Sequence, residues 1–99
     1  MEIKKTITGS KMVLVLSGRL DTNTSPQLEA AIKEDISSIE LLEIDLVDLA
    51  YISSAGLRVL LSAQKIMNKQ GDMIIRNVNE DIMDVFEVTG FVDILNIEL

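Results

Sequence analysis

The stretch LLEIDLVDLAYISSAGLRVLL, residues 41–61, decides how this chain folds. Its first half has a period of two, with Leu42, Ile44 and Leu46 pointing one way and Glu43 and Asp45 the other, as in a strand with one face toward a core. Its second half, continued to Lys69, has helical spacing instead: Leu57, Leu60, Leu61 and Met67 line one face, and Arg58, Ser62, Lys65 and Lys69 the opposite stripe. Between the two lies Ser53-Ser54-Ala55-Gly56. A strand that turns directly into a helix is the building unit of α/β domains, and its turn opens at the carboxyl end of the sheet, where such sheets bind ligands. The polar positions 43 and 45 predict one wet sheet face, with helices mainly on the other.

Upstream, IKKTITGSKMVLVLSG reads as two strands, near residues 2–8 and 11–17, joined in a hairpin at Gly9-Ser10. In DTNTSPQLEAAIKEDI, Thr24 or Ser25 caps a helix whose first turn accepts Pro26, and Gln27 is placed to close a capping box with Thr24. Leu28, Ala31, Ile32 and Ile36 give that helix its apolar face. Downstream, Gly71 ends the second helix and DMIIRNV supplies a further short strand. Asn79 then caps a third helix, with Glu80 and Asp81 in its first turn, Ile82, Val85 and Phe86 beneath, and Gly90 after its end. The tail FVDILNIEL suits either an edge strand or a small helix. The order β-β-α-β-α-β-α-β describes one α/β domain over residues 1–99, with a mixed sheet of four to five strands.

Composition narrows the function. Ninety-nine residues fit a single core, and 47% hydrophobic content is enough to fill it without disulfides or metal. A net charge of −7 argues against nucleic acid, whose binding relies on Lys and Arg at phosphates, and against an anionic membrane surface. The longest apolar run, MVLVL at 12–16, is too short to span a bilayer, and no leader pattern opens the chain. The absence of Cys excludes thiol chemistry and zinc-thiolate sites and is compatible with a reducing cytoplasm; the absence of His removes the usual general base and every His-containing metal motif. The chain is expected to stand alone in the cytoplasm and to be monomeric when free.

Three roles are open to a hydroxyl in the Ser53-Ser54 turn. As an N-cap, Ser54 would accept from the N–H of Gly56 or Leu57, a contribution of about 1 kcal/mol that accounts for a serine here by itself. As a phosphate acceptor it would use features a cap does not need: Ala55 and Gly56 let a large partner approach closely, and the start of a helix tolerates an added anion. The modification would add about −1.5 to −2 charges without disturbing the fold. As a nucleophile it lacks a base, since there is no His and Lys65 lies three turns down the helix.

GRLDTNTSPQLE at 18–29, taken with DLAYISSAGLRVLL at 48–61, resembles the anti-sigma-factor antagonists of the STAS domain family. The resemblance covers the whole chain: the N-terminal hairpin, Gly18 and Asp21 after it, the helix opened by Pro26, Asp48 before the serine turn and Gly56-Leu57 after it. It implies partner switching. The motif serine, two positions before the glycine and here Ser54, is phosphorylated by a serine kinase that is also the anti-sigma factor. The unmodified protein binds that kinase, phosphorylation releases it, and a metal-dependent serine phosphatase resets the cycle. ATP and metal belong to those partners, and the chain itself needs no cofactor and is no enzyme. Family members commonly carry Asp directly before the target serine where this chain has Ser53, so Ser53 stands as the alternative acceptor. Asp21 and Asp48, expected on loops at one sheet edge, carry over as recognition residues, with Ser53, Ala55, Gly56, Leu57 and Arg58 as further partner contacts. Two other readings are a STAS scaffold or transport-complex subunit that does not switch, and a nucleotide-binding protein; the latter lacks a Gly-rich loop followed by Lys.

Overall fold

In the computed structural model, which describes all 99 residues, β1 (Glu2–Thr8) and β2 (Lys11–Leu20) form the expected antiparallel hairpin. Gly9, with φ +60°, supplies the left-handed backbone that this two-residue turn needs at its first position. β2 runs three residues beyond the expected end, to Leu20. Helix α1 (Ser25–Lys33) and a 3₁₀ turn (Ile36–Ser38) lead to β3 (Leu41–Ile52), which pairs parallel to β2. Helix α2 (Ser54–Gln70) returns the chain to β4 (Asp72–Arg76), parallel to β3, and α3 (Glu80–Thr89) follows. The sheet is mixed and four-stranded, in the spatial order β1-β2-β3-β4. The tail resolves the open choice in an unforeseen way: a 3₁₀ turn (Phe91–Asp93) brings Ile97 to a single parallel bridge with Ile75.

Met12, Leu14 and Leu16 of β2, Leu42, Ile44 and Leu46 of β3, and Met73 and Ile75 of β4 share one sheet face. All three helices bury their apolar residues in the same cluster: Leu28 and Ile32 from α1, Leu57, Leu60, Ala63 and Met67 from α2, and Ile82 and Phe86 from α3. Asn79 caps α3 as its sequence predicts, its Oδ1 accepting from the Ile82 N–H at 2.9 Å, and Gly90 ends that helix in the left-handed conformation. The capping box of α1 does not form. Thr24 Oγ1 is held by the preceding loop and Gln27 donates to the Met1 carbonyl.

The alternation of β3 holds through Leu46 and then changes, so that Leu46, Leu49 and Ile52 are buried at intervals of three. Two register shifts cause this: Val15 faces Asp45 but Ser17 faces Asp48, and Gly18 faces Leu49 but Arg19 faces Tyr51. Each is a β-bulge that inserts one residue into β3. The Asp45 carboxylate holds the first, accepting from the Val47 N–H at 2.9 Å and from Asn77 Nδ2 at 3.0 Å.

The open face is less wet than the polar pattern predicts. Glu43 is only 7% exposed, because Arg76 (3.2 Å) and Lys11 (3.4 Å) lie over its Oε1. Arg76 also reaches Glu98 and so ties the tail to β4. The hydrogen bond from Arg76 holds the Glu43 carboxyl below the usual carboxylate range, against a burial effect that raises it. A carboxyl lowered in the folded state stabilises above its ordinary value near 4.5, and that stability is lost as the pH falls through the lowered value. Glu43→Gln is therefore expected to flatten the acid limb of the stability curve below about pH 5. Urea midpoints measured down the acid range check this, and equal slopes for the two proteins would contradict it.

Candidate functional site

Parallel pairing of β2 with β3 brings the loops that follow both strands to one edge, where the Ser53 N–H donates to the Leu20 carbonyl at 2.9 Å. This bond keeps Ser53 extended, with φ −99° and ψ 175°, so the helix starts one residue later. The N-cap is consequently Ser53 and not Ser54. Its Oγ accepts from the Gly56 N–H at 3.4 Å and its carbonyl accepts from the Leu57 N–H at 3.0 Å. Ser54 is the first helical residue; it is exposed, and its hydroxyl makes no hydrogen bond within the chain. Ser53→Ala is expected to cost about 0.5–1 kcal/mol, the low end for a cap because the bond is long, and Ser54→Ala less than about 0.5 kcal/mol. Chemical denaturation of both variants tests the assignment, which the reverse order would overturn.

The small residues of the turn serve the core more than the surface. A Cβ on Gly56 would lie 2.7 Å from Leu20 Cγ and 3.0 Å from Ile52 Cγ1, so glycine here lets α2 rest on the ends of β2 and β3. Gly56 and Leu57 are both buried, packed into the core in the free chain. Ala55 is half-buried and Arg58 is exposed. Both border an open cleft between α1 and α2, about 370 Å³ in volume, together with Ser25, Glu29 and Ser62.

Asp21 flanks the serine turn from the loop after β2. Its Oδ1 accepts from the N–H groups of Asn23 (2.9 Å) and Thr24 (3.1 Å), while Thr24 Oγ1 accepts from the Asp21 N–H (2.9 Å) and donates to the Arg19 carbonyl (2.8 Å). The Thr24 N–H is the main cause that holds the Asp21 carboxyl below its usual range, with Asn23 and the nearby Arg19 adding to it against a smaller burial effect. Asp21 is thus the residue that shapes this loop, with its second oxygen facing Arg19 Nε at 3.9 Å.

Asp48 is not on a loop at this edge. The bulges extend β3 to Ile52, which leaves Asp48 inside the strand, opposite Ser17. It borders a wide groove of about 600 Å³ on the open sheet face, with Lys4, Val15 and Gln27. Two residues absent from the sequence reading do join the edge: the Arg19 guanidinium lies 4.1 Å from the centre of the Tyr51 ring. Their adjacency follows from the second bulge, and sequence periodicity carries no sign of it. No three carboxylates converge closely enough to hold a metal ion, and no helix is long and apolar enough to cross a membrane.

Residues 2–99 match the family model described as STAS domain. The chain belongs to the STAS domain family. This STAS domain is 35% identical over 85 residues to a putative anti-sigma factor antagonist, BtrV, of Bordetella bronchiseptica, covering 84% of this chain and 73% of that protein. It is 31% identical to the anti-sigma-B factor antagonist of Listeria monocytogenes, covering 99% of this chain and 87% of that one. Among solved structures it resembles the anti-sigma factor antagonist SpoIIAA in its unphosphorylated form, with a TM-score of 0.79 at 19% identity over 99% of this chain and 88% of that one. Bacillus SpoIIAA in its phosphorylated form gives a TM-score of 0.78 at 20% identity, over 99% of this chain and 92% of that one. At these identities the structural likeness establishes the fold, and with it the single STAS-like α/β domain expected from the sequence.

Proposed function

We propose that this STAS domain is an anti-sigma factor antagonist that works by partner switching. With Ser54 unmodified it binds an anti-sigma factor that is also a serine kinase. Phosphorylation of Ser54 releases the kinase, and a metal-dependent serine phosphatase restores the binding form. ATP and metal act on the partners' side of this cycle, and the chain itself is a binding protein.

One observation carries the choice of Ser54. Of the two adjacent hydroxyls, Ser53's is occupied as the cap of α2, and Ser54's is exposed and unbonded on the first turn of a rigid helix. A kinase can reach Ser54 without breaking a bond that holds the fold. Asp21, Ser53, Ala55 and Arg58 surround it and form the face a partner would cover. Asp48 belongs to a second contact on the open sheet face. The relatives named as anti-sigma factor antagonists support the same reading.

Baits carrying Ser54→Ala and Ser54→Asp, exposed to lysate of the source cells, test it. Retention of an ATP-binding serine kinase of the anti-sigma type by the Ala bait, and its loss with the Asp bait, is the expected result. Equal retention by both would show that Ser54 is no switch in that interaction.

A further inference from the structure

Ser54 and Arg58 stand one turn apart on the exposed face of α2, and neither has a partner: Ser54 makes no hydrogen bond and Arg58 no ion pair. Side chains at this spacing have Cβ atoms roughly 5–6 Å apart, and an acid placed N-terminal to a base is the favourable order. The carboxylate on the α1 side of the cleft, Glu29, is taken by Lys33 of its own helix at 3.0 Å. The other cation at this edge, Arg19, is stacked on Tyr51 and faces Asp21. Arg58 is therefore the exposed cation on α2 next to the hydroxyl with nothing to hold it.

We infer that Arg58 is the intramolecular receptor for a phosphate on Ser54. The inference rests on Ser54 being the modified residue. When Ser54 Oγ takes the γ-phosphoryl group of ATP, its proton is released and ADP departs. The new group carries about −1.5 to −2 charges and three acceptor oxygens. The guanidinium fork of Arg58 matches two of those oxygens and is always protonated, so it folds back along α2 onto the phosphate. Phosphorylation then changes the surface twice: an anion appears at residue 54, and the cation at residue 58 is withdrawn from any carboxylate of the partner.

The test uses full-length protein with phosphoserine inserted at position 54 during synthesis, which makes it independent of any kinase. The second ionisation of the phosphate is followed by phosphorus NMR with Arg58 intact and in the variants Arg58→Gln and Arg58→Lys. With Arg58 the ionisation falls about 0.2–0.7 pH unit lower than with Gln, the range of an exposed ion pair, and Lys lies between. Superimposed titrations, or a lower value with Gln, overturn the inference. A thermal comparison separates pairing from a merely structural role. Arg58→Gln lowers the melting temperature of the phosphoprotein more than that of the unmodified protein, and equal lowering of both overturns the pairing. If the pairing is seen but the anti-sigma factor binds phosphorylated and unmodified protein equally, the switch reading fails and the pairing stands.

Discussion

Phosphorylation of Ser54 is expected to weaken binding of the anti-sigma factor by a factor on the order of 10²–10³, about 3–4 kcal/mol at 1.4 kcal/mol per tenfold. The hydroxyl is exposed, unbonded and central to the proposed contact face, so a partner that covers it must desolvate whatever it carries. Covering a neutral hydroxyl costs little; desolvating a phosphate together with the Arg58 guanidinium it has drawn away from the partner costs several kcal/mol. Ser54→Asp adds about half the charge in a smaller group and should give an intermediate loss, whereas Ser54→Ala should bind within a few-fold of the native protein. Titration calorimetry on the four forms measures this. Equal affinities for the hydroxyl and phosphoserine forms would sink the mechanism. Loss of fold does not confuse the result, because an acidic group in the first helical turn is mildly stabilising.

The largest effect on stability is expected for Gly71→Ala, on the order of 3 kcal/mol or more, above the usual cost of overpacking because the obstacle is backbone. Gly71 follows α2 with an extended φ of 171°, so its conformation suits any residue, and space is what forbids a side chain. A Cβ would lie 1.9 Å from the Glu40 carbonyl oxygen and 2.7 Å from its carbon. Glu40 cannot retreat freely. Its carbonyl accepts from the Asp72 N–H at 2.9 Å, while its own N–H and that of Leu41 both donate to the Ser10 carbonyl, at 2.8 and 3.2 Å. One methyl group must therefore part the end of α2 from the junction that starts β3 beside the hairpin turn. Gly56 offers a useful contrast, since the atoms in its way belong to side chains that can rotate. Denaturant unfolding gives the comparison, and a loss under about 1 kcal/mol for Gly71→Ala would refute this account.

The parts of the fold legible in the sequence are those fixed by neighbours along the chain. The Gly9-Ser10 hairpin, the Asn79 cap, the Gly90 stop and the stripes of α2 each need only a few adjacent residues, and each is present, except that Leu61, expected on the buried face of α2, is only half-buried. What escaped depends on residues far apart. Glu43 reads as solvent-facing until Arg76 and Lys11 are brought over it. Asp48 reads as a loop residue because a strand with two bulges loses the period of two that identifies it. The cap is displaced from Ser54 to Ser53 by one bond, from the Ser53 N–H to the Leu20 carbonyl, and the partner strand sets that bond. The serine turn was visible in the sequence; which hydroxyl is free within it was not.

The spatial order β1-β2-β3-β4 is also the order of synthesis. Each strand finds its pairing edge on the strand made just before it, and the loops to be closed span only residues 9–10, 21–40 and 53–71. Closure entropy rises slowly over such lengths. The sheet can thus grow one strand at a time as the chain leaves the ribosome, with no apolar edge waiting for a distant segment still to be translated. The tail adds only its single bridge at Ile97, after the four strands are in place.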